Sequence, residues 1–165
     1  MANFSFDIVS DYDKAEMNNV FDQANRELAN RYDFKGTPAA LDWADSDKTG
    51  ITVTGNGDWQ IDAVLDIYRK KLAVRGLSQK VLDTSHEATV SNLKTTKHVP
   101  FIKGLDQDKA KKITTLVRDK HPKVKTQIQG QEVRATSSSK DELQAVMQSI
   151  KAADFDFPVN FTNFR

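Results

Sequence analysis

The stretch KTQIQGQEVRATS, Lys125–Ser137, alternates polar and apolar side chains on both sides of a Gly-Gln pair. Two alternating runs joined by a two-residue turn are typical of a β-hairpin, so we place Gly130 and Gln131 in the turn. This register gives the hairpin one face that can pack on a core, formed by Thr126, Ile128, Val133 and Ala135. The opposite face, called the hairpin platform below, carries Lys125, Gln127, Gln129, Glu132, Arg134 and Thr136.

Four other segments have apolar residues three and four positions apart, which predicts amphipathic helices. Asp106 precedes the third helix, and Ser139 with Glu142 forms a capping box before the fourth. The helical stripes are Met17–Leu28, Ile61–Leu72, Ala110–Val117 and Leu143–Ile150. Alternating segments predict strands at Phe4–Val9, Ala40–Ala44, Ile51–Thr54, Val99–Lys103, Val124–Gln129, Glu132–Thr136 and Val159–Asn163, with a weaker one near Val81 and Leu82.

The order of these elements is βαββαβ written twice. The two copies also align in sequence, which pairs Ile51 with Val133 and Ile61 with Leu143. A duplicated unit of this kind predicts an α+β fold, a tandem of two ferredoxin-like (RNA-recognition-like) βαββαβ sandwiches.

We expect one domain over residues 1–90 and a second over residues 91–165. The segment Asp83–Lys97 is rich in Ser, Thr and charge, so it is interpreted as the linker. Strand exchange between the domains stays open, because the sequence does not show whether Phe4–Val9 pairs within its own half.

The net charge of +1 conceals an asymmetry between the two halves. Residues 1–90 carry 10 Lys and Arg against 15 Asp and Glu, net −5, whereas the remainder carries 14 against 8, net +6. A basic second domain favours an anionic partner. The alternative is an ordinary solvated face on the lysine-rich third helix.

The composition excludes several classes of protein. With no cysteine, the chain has no disulfide, thiolate nucleophile or cysteine metal site. Its three histidines are far apart in sequence, and none of the common phosphate-loop, hydrolase or zinc motifs occurs, so we expect no enzyme, no metal and no cofactor. Without a long apolar run or a leader-like start, we expect no membrane partner and a cytoplasmic location.

Several segments together carry a specific resemblance to the bacterial YajQ family of nucleotide-binding proteins, from Phe6 to Arg165. They are SFDIVS, QANRELANRYDFKG, KTQIQG with EVRATS, DELQAVM and NFTNFR. The resemblance implies tandem ferredoxin-like domains, a cytoplasmic location and binding of nucleotides or RNA. In some members it implies a role as a cyclic di-GMP effector that acts through protein partners. Where the family pattern has a Gly and basic residues before the fourth helix, this chain has three serines and keeps only Lys140.

The hairpin platform is a candidate nucleotide-binding surface on chemical grounds. Lys125 and Arg134 can neutralise phosphate, and Gln127 and Gln129 offer donors and acceptors to a base edge. The platform lacks the aromatic side chains that stack bases on RNA-recognition sheets, so we expect any aromatic contact to come from elsewhere.

Two segments supply candidate aromatics. The segment RYDFKG contributes Arg31, Asp33, Phe34 and Lys35, a composition that suits a base and a phosphate. The final Phe164 and Arg165 could likewise stack a ring and hold an anion. In both cases a purely structural role, as a helix end over its own core or as a closing strand, is the alternative.

The leading functional hypothesis is a non-enzymatic nucleotide-binding or RNA-binding protein with a regulatory output through macromolecular partners. The second is a protein–protein interaction adaptor with no nucleotide ligand. Exposure of the polar sheet face is expected to favour the first hypothesis, and its burial the second.

Overall fold

The computed structural model of the chain describes residues 3–165 and contains eight strands and four α-helices over that range. The first half comprises β1 (Phe4–Val9), α1 (Lys14–Asn30), β2 (Ala40–Trp43), β3 (Gly50–Gly55), α2 (Asp58–Val74) and β4 (Thr89–Ser91). The second comprises β5 (Lys94–Pro100), α3 (Gln107–Lys120), β6 (Lys125–Gln129), β7 (Glu132–Ser137), α4 (Lys140–Ala153) and β8 (Asn160–Thr162). The predicted tandem ferredoxin-like order, βαββαβ twice, is confirmed.

The strands form two antiparallel four-stranded sheets with orders β6-β7-β1-β8 and β2-β3-β5-β4. The first strand of each repeat therefore lies in the sheet of the other repeat. Strand β1 joins β6, β7 and β8, and strand β5 joins β2, β3 and β4. The pairing answers the question that the sequence left open, because β1 pairs with β7 and β8 rather than with strands of its own half.

The chain accordingly folds as two compact units. Unit 1 is the segment up to Asp11 together with Lys103–Arg165, and unit 2 is Tyr12–Ile102. Unit 1 packs α3 and α4 on one side of its sheet through an apolar core that includes Phe6, Ile8, Ile113, Val133, Val146 and Ile150. Unit 2 packs α1 and α2 on its own sheet around Val20, Ile51, Val53, Leu65, Tyr68 and Val99.

The β6–β7 hairpin has the predicted register. Gln127 lies opposite Arg134, and Ile128 opposite Val133, across the turn. Val133 is fully buried, but Ile128 is 45% exposed, so the expectation that Ile128 belongs to the core is wrong. The physical reason is position, since β6 is the outer strand of its sheet and Ile128 lies near the turn.

The segment expected to be a linker is mostly ordered structure. Thr89–Ser91 is the edge strand β4, and it forms a hairpin with β5, which begins at Lys94, earlier than predicted. Where a weak strand was expected near Val81 and Leu82, Val81 ends a 3-10 turn over Gln79–Val81, and Leu82 forms a single antiparallel β-bridge with Phe101. A polar, exposed edge strand lacks the alternation by which the other strands were found.

Side chains cap three of the four helix starts, and two of these caps, Asp106 and Ser139, were indicated by the sequence. Asp13 accepts hydrogen bonds from the first turn of α1, Asp106 accepts one from Lys109 N in α3, and Ser139 accepts one from Glu142 N in α4. Short polar side chains stabilise helices here because the first N–H groups have no partner within the helix.

No helix within residues 3–165 is long and apolar enough to cross a membrane.

Candidate functional site

Unit 1 contains a pocket of about 270 Å³ between the start of β1, the first turns of α4 and the end of the chain. We call it the α4 pocket. Its lining combines aromatic, aliphatic, polar and cationic residues: Phe4, Ser5, Phe6, Lys140, Leu143, Gln144, Met147, Phe164 and Arg165. A small cleft with apolar walls and a few polar groups is the usual form of a small-molecule site, although the volume of this one is just below the usual range of ~300–1,000 Å³.

Stacked aromatic rings form one wall of the α4 pocket. The Phe164 ring lies nearly parallel to that of Phe6, with centroids 5.9 Å apart and an interplanar angle of 24°. Phe6 is fully buried, whereas Phe164 is 62% exposed. Phe164 therefore has one ring face on the core and leaves ring surface available to a planar ligand.

Two cations line the same pocket. The Lys140 Nζ lies 4.9 Å from the centroid of the Phe4 ring, a cation–π contact that holds the ammonium group over the pocket wall. Arg165 also lines the pocket, and its backbone exchanges hydrogen bonds with Ser5, 3.0 Å for Arg165 N to Ser5 O and 3.4 Å for the reverse. Aromatic rings beside cations can bind a base and a phosphate.

Two of the three serines before α4, Ser137 and Ser139, have a structural role. Ser139 caps the helix, and the Ser137 Oγ accepts a hydrogen bond from Ser139 N at 3.1 Å. The three serines lie in the loop before α4, where the family pattern described above has basic residues. Lys140 remains as the cation of this loop that lines the pocket.

In the same sheet, the carboxylate of Asp7 on β1 connects β7 with the segment that follows β8. Arg134 of β7 donates from Nε to Oδ1 at 2.9 Å, and Asn163 donates from Nδ2 to Oδ2 at 2.8 Å. Asp7 is 2% exposed. The pKa of Asp7 is lowered from its ordinary value, chiefly by the Arg134 hydrogen bond and further by those of Asn163 and the charge of Arg165, against the opposing effect of burial. Asp7 is thus an ionised, fully partnered group at pH 7.

The principal cation of the hairpin platform, Arg134, is already paired with a carboxylate. Because Arg134 is held by Asp7, its guanidinium is not a free phosphate ligand. Lys125 and Gln127 are exposed and Gln129 is half-buried on the same surface. The platform keeps the predicted arrangement of side chains, but its free groups are one lysine and amides rather than a paired Lys and Arg. Its role in nucleotide binding stays a prediction.

The segment RYDFKG lies in unit 2, after α1. Arg31 pairs with Asp33 through two hydrogen bonds of 3.0 and 3.1 Å, and its guanidinium carbon is 5.2 Å from the centroid of the Phe34 ring. Phe34 is buried in the core of unit 2. The hydrogen bond from Arg31 lowers the pKa of Asp33. These three residues brace the end of the helix, which favours their structural interpretation.

Two side chains of that segment face solvent instead. Tyr32 is 86% exposed, and the Nζ of Lys35 is 6.0 Å from its ring centroid. The predicted site residues therefore fall into two groups. Arg31, Asp33, Phe34 and Lys35 belong to unit 2, and Lys125, Gln127, Gln129, Arg134, Phe164 and Arg165 belong to unit 1.

Sequence reasoning missed Phe4 as a pocket residue. It is the first residue of a predicted strand, and nothing local marks its ring as part of a site. Lys140 was noted as the retained cation, but not as a partner for an aromatic ring. The signal lay in the strand pairing, which brings Phe4 to α4 and to the end of the chain.

No group of three or more His, Asp or Glu within residues 3–165 could hold a metal ion.

The fold and the pocket define a class: a tandem ferredoxin-like protein with an aromatic, cationic pocket in one unit. Residues 4–165 match the family described as nucleotide-binding protein YajQ-like. A protein of Streptomyces griseus named nucleotide-binding protein is 43% identical over 166 residues, covering 100% of both chains. Proteins of the same name from a Nocardioides species and from Trichodesmium erythraeum are each 44% identical, covering 97% or more of each chain. The chain belongs to the YajQ-like family, as its sequence resemblance indicated.

Proposed function

We propose that this protein is a non-enzymatic nucleotide-binding protein of the cytoplasm and that it binds one nucleotide unit in the α4 pocket. The observation that carries the proposal is the convergence of Phe4, Phe164, Lys140 and Arg165 on one pocket. The name printed for its relatives supports the ligand class.

The chemistry assigns different roles to the walls of the pocket. Stacking of a base on an aromatic side chain contributes about 1–3 kcal/mol, and Phe164 offers an exposed ring that the core already holds in place. The ammonium group of Lys140 is a point charge suited to a phosphate. Gln144 adds an amide with both donor and acceptor groups. With a volume of about 270 Å³, the pocket is proposed to take no more than one nucleotide unit, whether free, part of a cyclic dinucleotide or at an end of an RNA.

Titration calorimetry with GTP, ATP, cyclic di-GMP and a short RNA tests this proposal. The structure offers a matched pair of variants on α4, because Lys140 and Lys151 both lie over a sheet phenylalanine, Phe4 at 4.9 Å and Phe161 at 5.9 Å. Of the two lysines, only Lys140 lines the α4 pocket. We expect Lys140→Ala to weaken the ligand roughly tenfold, the effect of losing one charge-assisted hydrogen bond of about 1.4 kcal/mol, and Lys151→Ala to leave it unchanged.

Two results of the titration would contradict the proposal. The first is the absence of measurable binding by the unmodified protein to any of the four ligands. The second is equal weakening by Lys140→Ala and Lys151→Ala, which would indicate general charge attraction rather than a site. For the short RNA, affinity should also fall with salt, with a slope of about −0.7 in log K against log salt for each phosphate contacted.

A separate observation supports contact with a protein partner. Such contact is required both by a regulatory output and by the adaptor alternative, in which no nucleotide binds. The β4–β5 hairpin of unit 2 exposes two large apolar side chains, Val90 at 74% and Leu93 at 92%. Leu93 lies in the turn with a positive φ of 66°, an unusual conformation for a bulky residue. Such a tip favours contact with another protein. If no nucleotide binds, the adaptor becomes the better account.

A further inference from the structure

The end of the chain departs from regular strand pairing just before it reaches the α4 pocket. Along β8, Val9 pairs with Asn160, Ile8 with Phe161 and Asp7 with Thr162. Regular continuation would place Phe164 opposite Ser5. Instead the backbone of Ser5 is paired with Arg165. One extra residue has therefore been inserted between Thr162 and Arg165, which is a β-bulge.

The bulge decides which face of the sheet carries the Phe164 ring. Neighbouring residues on a strand point to opposite faces, and a shift of one residue exchanges those faces. In the regular register Phe164 would share the face of Ser5 and Asp7. In the observed arrangement its ring stacks on Phe6, on the helix side of the sheet, and lines the α4 pocket.

Asn163 is the residue that makes the bulge. Its φ is 55°, in the left-handed region that Asn and Gly adopt more readily than other residues. Its side chain is fixed in the same place by the 2.8 Å hydrogen bond from Nδ2 to Asp7 Oδ2. Asp7 is itself held by Arg134 on the neighbouring strand. The conformation of Asn163 is thus supported by both its own backbone preference and a buried, ionised partner.

We propose that Asn163, held by Asp7, is a positioning residue for the α4 pocket: its left-handed conformation makes the bulge that turns the Phe164 ring toward the ligand. The inference rests on the proposed function for its consequence, ligand affinity. Its structural half, the side of the sheet on which Phe164 lies, can be measured without a ligand.

The test compares three variants. Asn163→Val introduces a β-branched residue that disfavours a positive φ, so we expect loss of the bulge and at least tenfold weaker nucleotide binding. Asn163→Gly keeps the backbone conformation accessible, so we expect affinity within about threefold of the unmodified protein. Asn160→Val is the control, because Asn160 begins β8, three residues before Asn163, and donates to Asp11 O at 2.6 Å but does not line the pocket.

Nuclear Overhauser contacts between the Phe164 and Phe6 rings, measured without ligand, report the bulge directly. We expect these contacts in the unmodified protein and in Asn163→Gly, and their loss in Asn163→Val. Retention of the contacts in Asn163→Val, or equal loss of affinity in the Val and Gly variants, would overturn the inference. If the unmodified protein binds no nucleotide while the contacts change as expected, the proposed function fails and the assignment of Asn163 stands.

Discussion

Arg134 and Asp7 lie directly opposite one another on adjacent strands of unit 1, and the Arg134 Nε donates to Asp7 Oδ1 at 2.9 Å. This pair decides between two interpretations of the hairpin platform. A free Arg134 would serve a phosphate ligand, whereas an Arg134 bound to a buried carboxylate stabilises the sheet. The observed pair favours the second role.

The first prediction follows from that pair. Arg134→Ala should lower the urea concentration at the midpoint of unfolding, because it leaves the buried Asp7 with Asn163 as its remaining hydrogen-bond donor. Nucleotide affinity should change by less than about threefold, since Arg134 does not line the α4 pocket and its loss leaves the hydrogen bond between Asn163 and Asp7 in place. Urea unfolding and calorimetric titration of the same variant check both halves. A stable variant with strongly reduced affinity would return Arg134 to the binding site.

The second prediction concerns pH. The pKa of Asp7 is lowered in the folded protein by the Arg134 hydrogen bond, so the ionised carboxylate stabilises the fold above its unfolded pKa of about 3.9. That stabilisation should disappear as the pH falls through the folded pKa. The difference in unfolding free energy between the unmodified protein and Asp7→Asn should therefore be larger at pH 7 than at pH 3. Asp33, Asp45 and Glu27 also have lowered pKa values, but they are present in both proteins and cancel. A difference that is constant with pH would exclude this role for Asp7.

The third prediction uses the cross-strand pair Ile128 and Val133. Val133→Asp should prevent folding of unit 1 or reduce its stability by several kcal/mol, because a carboxylate would replace a fully buried side chain. Ile128→Asp should reduce stability by no more than about 1 kcal/mol, since Ile128 is 45% exposed. Gln127→Ala, on the platform face, is the control for both. Thermal melts of the three variants measure the order, and an equal loss in the two Asp variants would contradict it.

Much of the fold could be predicted from sequence because alternation and helical spacing identify each element locally. The hairpin register was predictable, since a two-residue turn fixes every pair that follows it, as Ile128 and Val133 show. Burial of Ile128 was not, because a face assignment does not tell an inner strand from an outer one. The edge strand Thr89–Ser91 was not predicted for a related reason, since all three of its residues are exposed and it shows no alternation.

The candidate site was less predictable because strand partners are set by tertiary structure. Phe164 and Arg165 could be named from composition, but their pocket depends on Phe4 from the other end of the chain. The partner of Arg134 was equally hidden, since no local pattern connects it to Asp7. Residue types indicate which ligand groups a side chain can bind, but the strand topology determines which side chains lie together in one site.

The fourth prediction separates structure from binding in unit 2. Phe34→Ala should reduce stability by about 3–4 kcal/mol, as expected for a phenylalanine in the core. Tyr32→Ala should change stability by less than about 0.5 kcal/mol, because the ring is 86% exposed. Nucleotide affinity should be the same in Tyr32→Ala and the unmodified protein if the ligand binds in unit 1. Chemical denaturation and titration of both variants provide the comparison, and a marked loss of affinity in Tyr32→Ala would place a ligand contact in unit 2.

The central claim, that a nucleotide binds in the α4 pocket, is tested most directly by methyl NMR of methionine. The chain has three methionines, of which Met147 lines the pocket and Met17 is buried in the core of unit 2. With ¹³C-labelled methionine methyl groups, the account predicts that a nucleotide shown by calorimetry to bind shifts the Met147 resonance, through the ring current of the base, and leaves that of Met17 in place. Saturating nucleotide that leaves the Met147 resonance unmoved would contradict the claim and locate the ligand elsewhere.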